Sequence, residues 1–194
     1  VATALLPPQM THNEAVVLYE SIRAEADGLD CPLVGGDTCI QRSDCSSGLH
    51  LTVTVLGHTE HPALRSHAKP GDRVFVTGPL GGSFASGRHL APPVRIKEAL
   101  QLREALGEGL HAMVDVSDGL GKDAMAIGSA SGVKIVLQHD LIPCHSGFTW
   151  ENAIQDGEDH ELLFTVSNAK SCPPLPFPIY EIGAVIAGPA SVVL

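Results

Sequence analysis

Strand-like and helix-like segments alternate along this chain of 194 residues, and this alternation restricts the fold more than any other feature. Residues 49–59 (LHLTVTVLGHT) alternate between apolar and polar side chains, which predicts a strand. Residues 119–130 instead place Leu120, Ala124 and Ile127 at helical spacing. A chain that mixes both patterns is expected to layer helices on sheets, as an α/β or α+β protein.

The amino-terminal part of the chain predicts the order strand, helix, strand, strand. Residues 2–6 are apolar enough for a short strand, and Thr11 with Glu14 matches a capping box at the start of a helix that ends at Gly28. Residues 31–39 (CPLVGGDTC) are interpreted as a buried strand that runs into a glycine turn. The strand of residues 49–59 follows.

A proline-containing stretch, residues 61–70, is interpreted as a linker to a second group of segments. A Pro-Gly-Asp turn then begins a strand. Further strands are predicted at residues 110–116, 133–137, 162–166 and 179–186, and helices at residues 94–106 and 119–130. In the helix of residues 94–106, an inward face of Ile96, Ala99, Leu100 and Leu106 is expected.

Charge and cysteine content exclude several classes of partner. The net charge of −10 and the absence of a basic stripe argue against nucleic acid, and no apolar run reaches the roughly 18 residues of a membrane span. The number of cysteines is odd and no two form a C-x-x-C pair, which favours free thiols in a reducing cytosol over zinc. These cysteines are Cys31, Cys39, Cys45, Cys144 and Cys172.

Two glycine-rich segments follow predicted strands, where a bare backbone can approach a ligand. In residues 35–38 (GGDT), Asp37 adds a carboxylate that suits a metal ion, although a tight turn with an Asx hydrogen bond explains the same residues. In residues 76–87, backbone N–H groups can hold phosphate, but close packing also accounts for the glycines. Both interpretations stay open for each segment.

Two acids stand close together in MVDVSDGLGKD, residues 113–123. Asp118 or Ser117 can cap the following helix, worth roughly 1 kcal/mol. Neither cap explains Asp115, which shares a strand face with Ser117 because side chains two residues apart point the same way. Converging carboxylates repel each other unless a cation lies between them, and Mg²⁺ binds one or two carboxylates together with substrate phosphates. Asp115 and Asp118 are therefore candidate magnesium ligands.

A run of acids precedes the strand of residues 162–166, in the segment DGEDHELLF. A solvated acidic loop is the ordinary interpretation of such a run. The alternative is a polar pocket wall that receives a cationic group of a substrate.

Taken in order, GGDT, RSHAKPGDRVFVTGPLGGSFASG, DVSDGLGKD and DGEDHELLFTV resemble the thiamine-monophosphate kinase family, with GEDHELLF as the more specific element. That family belongs to a superfamily with aminoimidazole ribonucleotide synthetase and a hydrogenase maturation protein. The resemblance implies that residues 1–60 are the carboxyl-terminal part of an ATP-binding and dimerisation domain of α+β type. Residues 64–194 would be an aminoimidazole ribonucleotide synthetase-like domain, layered α/β/α with a mixed sheet.

The resemblance also implies the chemistry of individual residues. Magnesium ligands would be Asp37, Asp115 and Asp118. Contacts to ATP would come from Gly36, Asp37, Arg65 and Ser117. Glu158 would bind thiamine monophosphate. The implied reaction moves the γ-phosphoryl group of ATP onto thiamine monophosphate, in a cytoplasmic protein that is a homodimer at full length and binds neither nucleic acid nor membrane.

The chain departs from the family pattern in ways that suggest two alternatives. His160 replaces a usual tyrosine or phenylalanine and Asp156 a usual glycine, beside Glu158, so another ATP-dependent synthetase of the superfamily is an alternative. A Gly-Asp-Asp segment with further magnesium ligands is missing, so the chain is expected to be a fragment that is inactive alone, or a non-catalytic binding module.

Replacing Asp115 separates the metal and capping interpretations. Asp115→Asn is expected to abolish binding of Mg·ATP while barely changing the melting temperature, because a strand-end metal ligand contributes little to folding. Calorimetric nucleotide titration and thermal melting measure the two effects. A large stability loss with intact nucleotide binding would support a capping role instead.

Overall fold

The computed structural model describes residues 1–42, 44, 48–168 and 174–194, which fold into two units, residues 1–60 and 61–194. Cys45 and Cys172 lie outside the described residues, whereas Cys31, Cys39 and Cys144 are free thiols, as expected. None of the helices in the described ranges combines the length and the apolar character that crossing a membrane requires.

The first unit is a three-stranded sheet with one helix, in the predicted order. Its elements are β1 (Ala2–Leu6), α1 (His12–Gly28), β2 (Gly36–Ile40) and β3 (His50–Val53). The central strand β1 pairs parallel with β2 and antiparallel with β3. Ala2, Ala4 and Leu6 are buried at alternate positions of β1, which gives this small sheet its inner face.

The predicted capping box at the start of α1 is confirmed. The Thr11 N–H group donates to Glu14 Oε2 at 2.7 Å, and the Glu14 N–H group donates to Thr11 Oγ1 at 3.3 Å. These two bonds satisfy backbone donors that the first turn of a helix leaves without partners. The helix ends at Gly28, as the sequence predicts.

Both remaining strands of the first unit differ from prediction. The buried strand expected before the glycines is wrong: β2 begins at Gly36 itself and its residues are exposed, because it is an edge strand that pairs only with β1. The strand expected over residues 49–59 is shorter, since its pairing with β1 ends where the Thr54 N–H group donates to the Val1 carbonyl.

The second unit is built on a six-stranded mixed sheet. Its strands are β4 (Arg73–Val76), β5 (Leu110–Asp115), β6 (Lys134–Leu137), β7 (Leu162–Val166), β8 (Tyr180–Ile186) and β9 (Ser191–Val193). Its helices are α2 (Ser83–Ser86), α3 (Ile96–Leu106), α4 (Leu120–Ser131) and α5 (Trp150–Gln155). The strand order is β5-β7-β4-β8-β6-β9, antiparallel throughout except for β6 and β9. The four strands predicted from residue 110 onwards are confirmed to within a residue, and β9 was not predicted.

Helices cover both faces of this sheet, which confirms the layered α/β arrangement. Val74 and Val76 of β4 join one buried cluster with the α4 residues Leu120, Ala124 and Ile127, which point inward as predicted. Phe75 joins the other buried cluster with Leu102 and Leu106 of α3. Alternate residues of a strand point to opposite faces, so both faces of β4 are buried.

The inward face predicted for α3 is partly wrong. Ile96 and Leu100 are 52% and 66% exposed, whereas Leu102 and Leu106 are fully buried. Ala99, Leu102 and Leu106 form the inward stripe, at the i, i+3 and i+7 spacing of one helix face. The predicted and the observed stripes both have helical spacing. The sequence therefore does not distinguish them, and packing against the sheet selects the observed one.

Replacing the central aromatic residue of the second cluster tests this layering. Phe164 is fully buried and stacks on Phe75 with 5.5 Å between ring centroids. Phe164→Ala is expected to lower the free energy of unfolding by about 3–5 kcal/mol. Phe84→Ala is the matched control, because Phe84 is 63% exposed. Urea denaturation measures both, and equal losses would contradict the assignment of the core.

Candidate functional site

The segment after β5 and the segment before β7 lie side by side. We call residues 115–119 the DVSDG segment and residues 156–161 the acidic loop. Within the sheet Asp115 is opposite Leu162, and the pairing continues beyond the strand ends. Three backbone bonds extend it: Val116 N–H to Glu161 O at 2.7 Å, His160 N–H to Val116 O at 2.8 Å and Glu158 N–H to Ser117 O at 2.9 Å. Two motifs about 40 residues apart in sequence thus form one surface.

Gly157 allows this close approach. A Cβ atom at Gly157 would lie 2.5 Å from the Ser117 carbonyl oxygen, closer than any side chain tolerates. Glycine is therefore required where the acidic loop crosses the DVSDG segment.

The DVSDG segment presents its polar side chains to solvent. The Asp115 side chain is 52% exposed, Asp118 is exposed and Ser117 is half-buried, whereas Val116 between them is fully buried. The interpretation of Asp118 or Ser117 as a helix cap is wrong. Gly119 is the N-cap of α4, and the helix has no side-chain capping hydrogen bond. Capping thus explains neither acid.

Asp123 lies in the first turn of α4 and binds the backbone of the DVSDG segment; it was not among the residues predicted from the sequence. Its Oδ2 accepts a hydrogen bond from the Asp118 N–H group at 3.0 Å. Burial raises the pKa of Asp123, and the charges of Asp118 and Asp115 raise it further, against backbone hydrogen bonds from Asp118 and Ser117 that lower it. The signal was present, because Asp123 lies on the same helical stripe as Leu120 and Ile127. The field of three neighbouring carboxylates favours a bound cation.

Glu158 and His160 of the acidic loop stand on the same side as Asp115. His160 Nε2 lies 3.2 Å from Glu158 Oε2, and His160 Nδ1 lies 3.6 Å from Asp115 Oδ2. The exposed fractions of the three side chains are 30% for His160, 44% for Glu158 and 52% for Asp115. The structure therefore brings together one predicted metal ligand, the predicted substrate-binding residue and a histidine that joins them.

Asp159 points the other way and is completely buried. Its carboxylate accepts hydrogen bonds from the Gly81 N–H group at 2.8 Å, the Ser83 hydroxyl at 2.6 Å and Arg88 Nη2 at 3.0 Å. Next to it, the Gly82 N–H group donates to Asp156 Oδ2 at 2.8 Å. We call residues 76–87 the glycine-rich loop. Its backbone thus holds anions, but these anions are the protein's own carboxylates. This favours the packing interpretation of the loop over phosphate binding.

Glu161 is buried in an ion pair. Arg95 donates to it through Nε at 2.8 Å and Nη2 at 2.7 Å, and the Thr77 hydroxyl donates at 2.5 Å. The hydrogen bond with Glu161 is the main reason why the pKa of Arg95 is raised. A solvated loop is therefore wrong for Asp159 and Glu161, which alternate with the outward Glu158 and His160. The strand period does not predict which of these residues turn outward, because both faces of β7 are buried.

The other predicted site residues lie elsewhere. Gly36 and Asp37 are in the first unit on β2, where a Cβ atom at Gly36 would lie 2.1 Å from the Ala2 carbonyl oxygen. Asp37 is exposed and its Oδ1 accepts a bond from the Thr38 N–H group. Arg65 is exposed, and its carbonyl accepts a bond from Ser131, at the opposite end of α4 from Asp118.

The donor atoms at the DVSDG segment fit Mg²⁺ as partial ligands. Throughout the described residues, no group of three or more histidine, cysteine, aspartate or glutamate side chains is arranged to hold a metal ion. Asp115 and Asp118 nevertheless offer exposed carboxylate oxygens. Mg²⁺ often takes only one or two carboxylates and completes its shell with water and substrate phosphates. The two residues suit an ion that arrives with a nucleotide.

Comparisons with known proteins find similarity to thiamine-monophosphate kinases. The chain is 37% identical to the thiamine-monophosphate kinase of Rhodopirellula baltica over 177 residues, covering 86% of this chain and 54% of that protein. It is 33% identical to the enzyme of Bacillus subtilis over an aligned length of 219 positions, gaps included, which covers 93% of this chain and 64% of that protein. The chain thus spans between half and two thirds of these relatives' length. No family model matches the chain.

Solved structures share the fold. A structure described as AaThiL complexed with AMPPCP and TMP superposes with a TM-score of 0.79 at 27% identity, covering 99% of this chain and 68% of that one. The hydrogenase maturation protein HypE of E. coli superposes with a TM-score of 0.75 at 17% identity, covering 98% and 68%. At that identity the second similarity concerns the fold alone.

Removing the cation that pairs with Glu161 tests whether the acidic loop is held by buried charge. Arg95→Leu leaves the Glu161 carboxylate buried without its ion-pair partner and is expected to lower the free energy of unfolding by about 3–5 kcal/mol. Arg103→Leu is the matched control, because its partner Glu108 is 94% exposed, and about 1 kcal/mol or less is expected. Urea denaturation measures both. Equal losses would show that Arg95 does not anchor the loop.

Proposed function

Because this chain is homologous to the thiamine-monophosphate kinases, we propose that the protein transfers the γ-phosphoryl group of ATP to the phosphate of thiamine monophosphate, giving thiamine diphosphate. The observation that carries the proposal is the side-by-side placement of the DVSDG segment and the acidic loop. It puts a carboxylate suited to magnesium, Asp115, next to a carboxylate suited to a cationic acceptor, Glu158. The similarity to AaThiL, whose structure contains AMPPCP and TMP, supports the same pair of ligands.

Transfer between two anions depends on positioning and charge neutralisation. Asp115 and Asp118 would hold Mg²⁺, which supplies the positive charge that lets two phosphates approach. Ser117, half-buried between them, would donate its hydroxyl to the nucleotide. No general base is needed, because the attacking phosphate oxygen is already ionised. Roles for Gly36 and Asp37 at the nucleotide, and for Arg65 at its phosphates, rest on the family resemblance alone.

Glu158 would recognise the acceptor. Its carboxylate is half-exposed and is linked to that of Asp115 through His160, so this surface attracts a cation. The thiazolium ring of thiamine carries such a charge. Two neighbouring acids do not contribute to acceptor binding, since Asp159 and Glu161 are buried in ion pairs with Arg88 and Arg95.

The proposal concerns the protein that carries this chain. The chain covers 54% and 64% of the length of the two relatives, so the proposed activity is that of the whole protein. From the family resemblance we further propose a cytoplasmic homodimer that binds neither nucleic acid nor membrane.

A related synthetase with a different phosphoryl acceptor is the second candidate. Of the two departures that suggest it, Asp156 is explained by its bond to the Gly82 N–H group and has no need of a ligand. His160 alone keeps this candidate open, because it contacts Glu158. A screen of acceptors with ATP, including formylglycinamidine nucleotides, distinguishes the two candidates.

The direct test is product formation by the full-length protein. Incubation with ATP, Mg²⁺ and thiamine monophosphate is expected to give thiamine diphosphate, detected by chromatography. Chelation of magnesium should stop the reaction and added Mg²⁺ should restore it. Turnover of ATP with another acceptor and none with thiamine monophosphate would refute the proposal.

Replacing Glu158 tests its role in acceptor binding. Glu158→Gln removes the charge that faces the cationic ring, so the KM for thiamine monophosphate is expected to rise about tenfold while the KM for ATP stays unchanged. Glu108→Gln is the control, an exposed glutamate outside the site. Steady-state kinetics with each substrate varied in turn give both constants. A parallel rise in the KM for ATP would contradict a role limited to the acceptor.

A further inference from the structure

Two residues of the acidic loop have backbone conformations that residues other than glycine rarely adopt. Glu158 has a φ of 64° and His160 a φ of 52°, in the left-handed region. Such conformations cost free energy and persist where surrounding contacts enforce them, often at functional sites. The residue between them is the buried Asp159.

Asp159 enforces this backbone. Its carboxylate has three donors, on Gly81, Ser83 and Arg88, and its side chain has no exposed surface. With Asp159 fixed inward, the residues before and after it turn outward. On the other side, the Glu158 and His160 N–H groups are bound to carbonyls of the DVSDG segment. The loop is thus fixed at three consecutive residues.

This geometry places the imidazole of His160 between two carboxylates. The Nε2 atom lies within hydrogen-bond distance of Glu158 Oε2, at 3.2 Å. The contact of Nδ1 with Asp115 Oδ2, at 3.6 Å, is longer than a hydrogen bond and is electrostatic. Among the described residues, no hydrogen bond to Glu158 Oε1 is found, so His160 holds one carboxylate oxygen and leaves the other for a ligand.

We propose that His160 is a positioning residue that fixes the Glu158 carboxylate beside Asp115 and thereby sets the affinity for the phosphoryl acceptor. The inference rests on the proposed function, because Glu158 is assigned to the acceptor there. A half-exposed glutamate otherwise samples many rotamers, and ordering it on binding costs affinity. Holding it in advance removes that cost. His160 does so without touching the nucleotide.

Three variants of His160 in the full-length protein test this. His160→Leu fills similar space but has no donor, and His160→Asn tolerates the left-handed backbone but is too short to reach Glu158. Both are expected to raise the KM for thiamine monophosphate about tenfold and to leave the KM for ATP unchanged. His160→Gln keeps an N–H donor and should stay within about threefold of the wild type. Calorimetric titration with thiamine monophosphate should show the same changes in Kd.

A matched control and a double variant exclude a merely structural role. His139 also pairs with a carboxylate, Asp140 at 2.8 Å, but lies outside the site, so His139→Leu should leave both KM values unchanged. If His160 acts through Glu158, the variant with both His160→Leu and Glu158→Gln should bind the acceptor no more weakly than Glu158→Gln alone. Melting temperatures show that each variant is folded.

The outcomes separate the two proposals. Wild-type acceptor KM and Kd in both His160→Leu and His160→Asn would overturn the inference while leaving the proposed function intact. So would additive losses in the double variant, or an equal rise in the KM for ATP. A wild-type protein that makes no thiamine diphosphate would overturn the proposed function and this inference together.

Discussion

The buried carboxylate of Asp159 joins the glycine-rich loop to the acidic loop, and the candidate site depends on that junction. Three donors converge on this group, and Gly82 binds Asp156 beside it. A buried charge is stable only when such donors replace its lost hydration. Because the partners lie more than 70 residues away in sequence, the shape of the loop depends on tertiary contacts and not on local sequence alone.

The acids near this junction divide into two groups by burial. Asp159 and Glu161 are inside and paired with Arg88 and Arg95, so their charge is neutralised within the protein. The outward group keeps its charge for a ligand, and it consists of Asp115, Asp118 and Glu158. The outward group lies at the surface, where a metal ion or a cationic acceptor would approach. In the proposed function, these exposed acids would act on a polyphosphate substrate through cations.

Local signals in the sequence predicted the fold where the pattern allowed one solution. The capping box of Thr11 and Glu14 and the inward stripe of α4 depend on neighbours within a few residues, and both are confirmed. Where two local patterns competed, prediction failed. The α3 helix has two apolar stripes, and packing against Phe164 selects the one with Leu102 and Leu106.

The candidate site shows the same division. Asp115 and Asp118 were identified because two acids after a strand exceed what a turn requires. The cap predicted for Asp118 is wrong, since Gly119 is the N-cap of α4 and no side-chain capping bond is formed. The position of His160 between Glu158 and Asp115 had no sequence signal, because it results from pairing between separate segments.

The sequence by itself determined which residue types are available: alternating strands and helices, a pair of acids after β5, and an acidic segment before β7. Short-range physics suffices for these, since periodicity and capping act within one element. The tertiary structure decided which acids face the interior and which face a ligand. That choice depends on the antiparallel pairing of β5 with β7 and on the glycine-rich loop, which together fix the direction of each side chain.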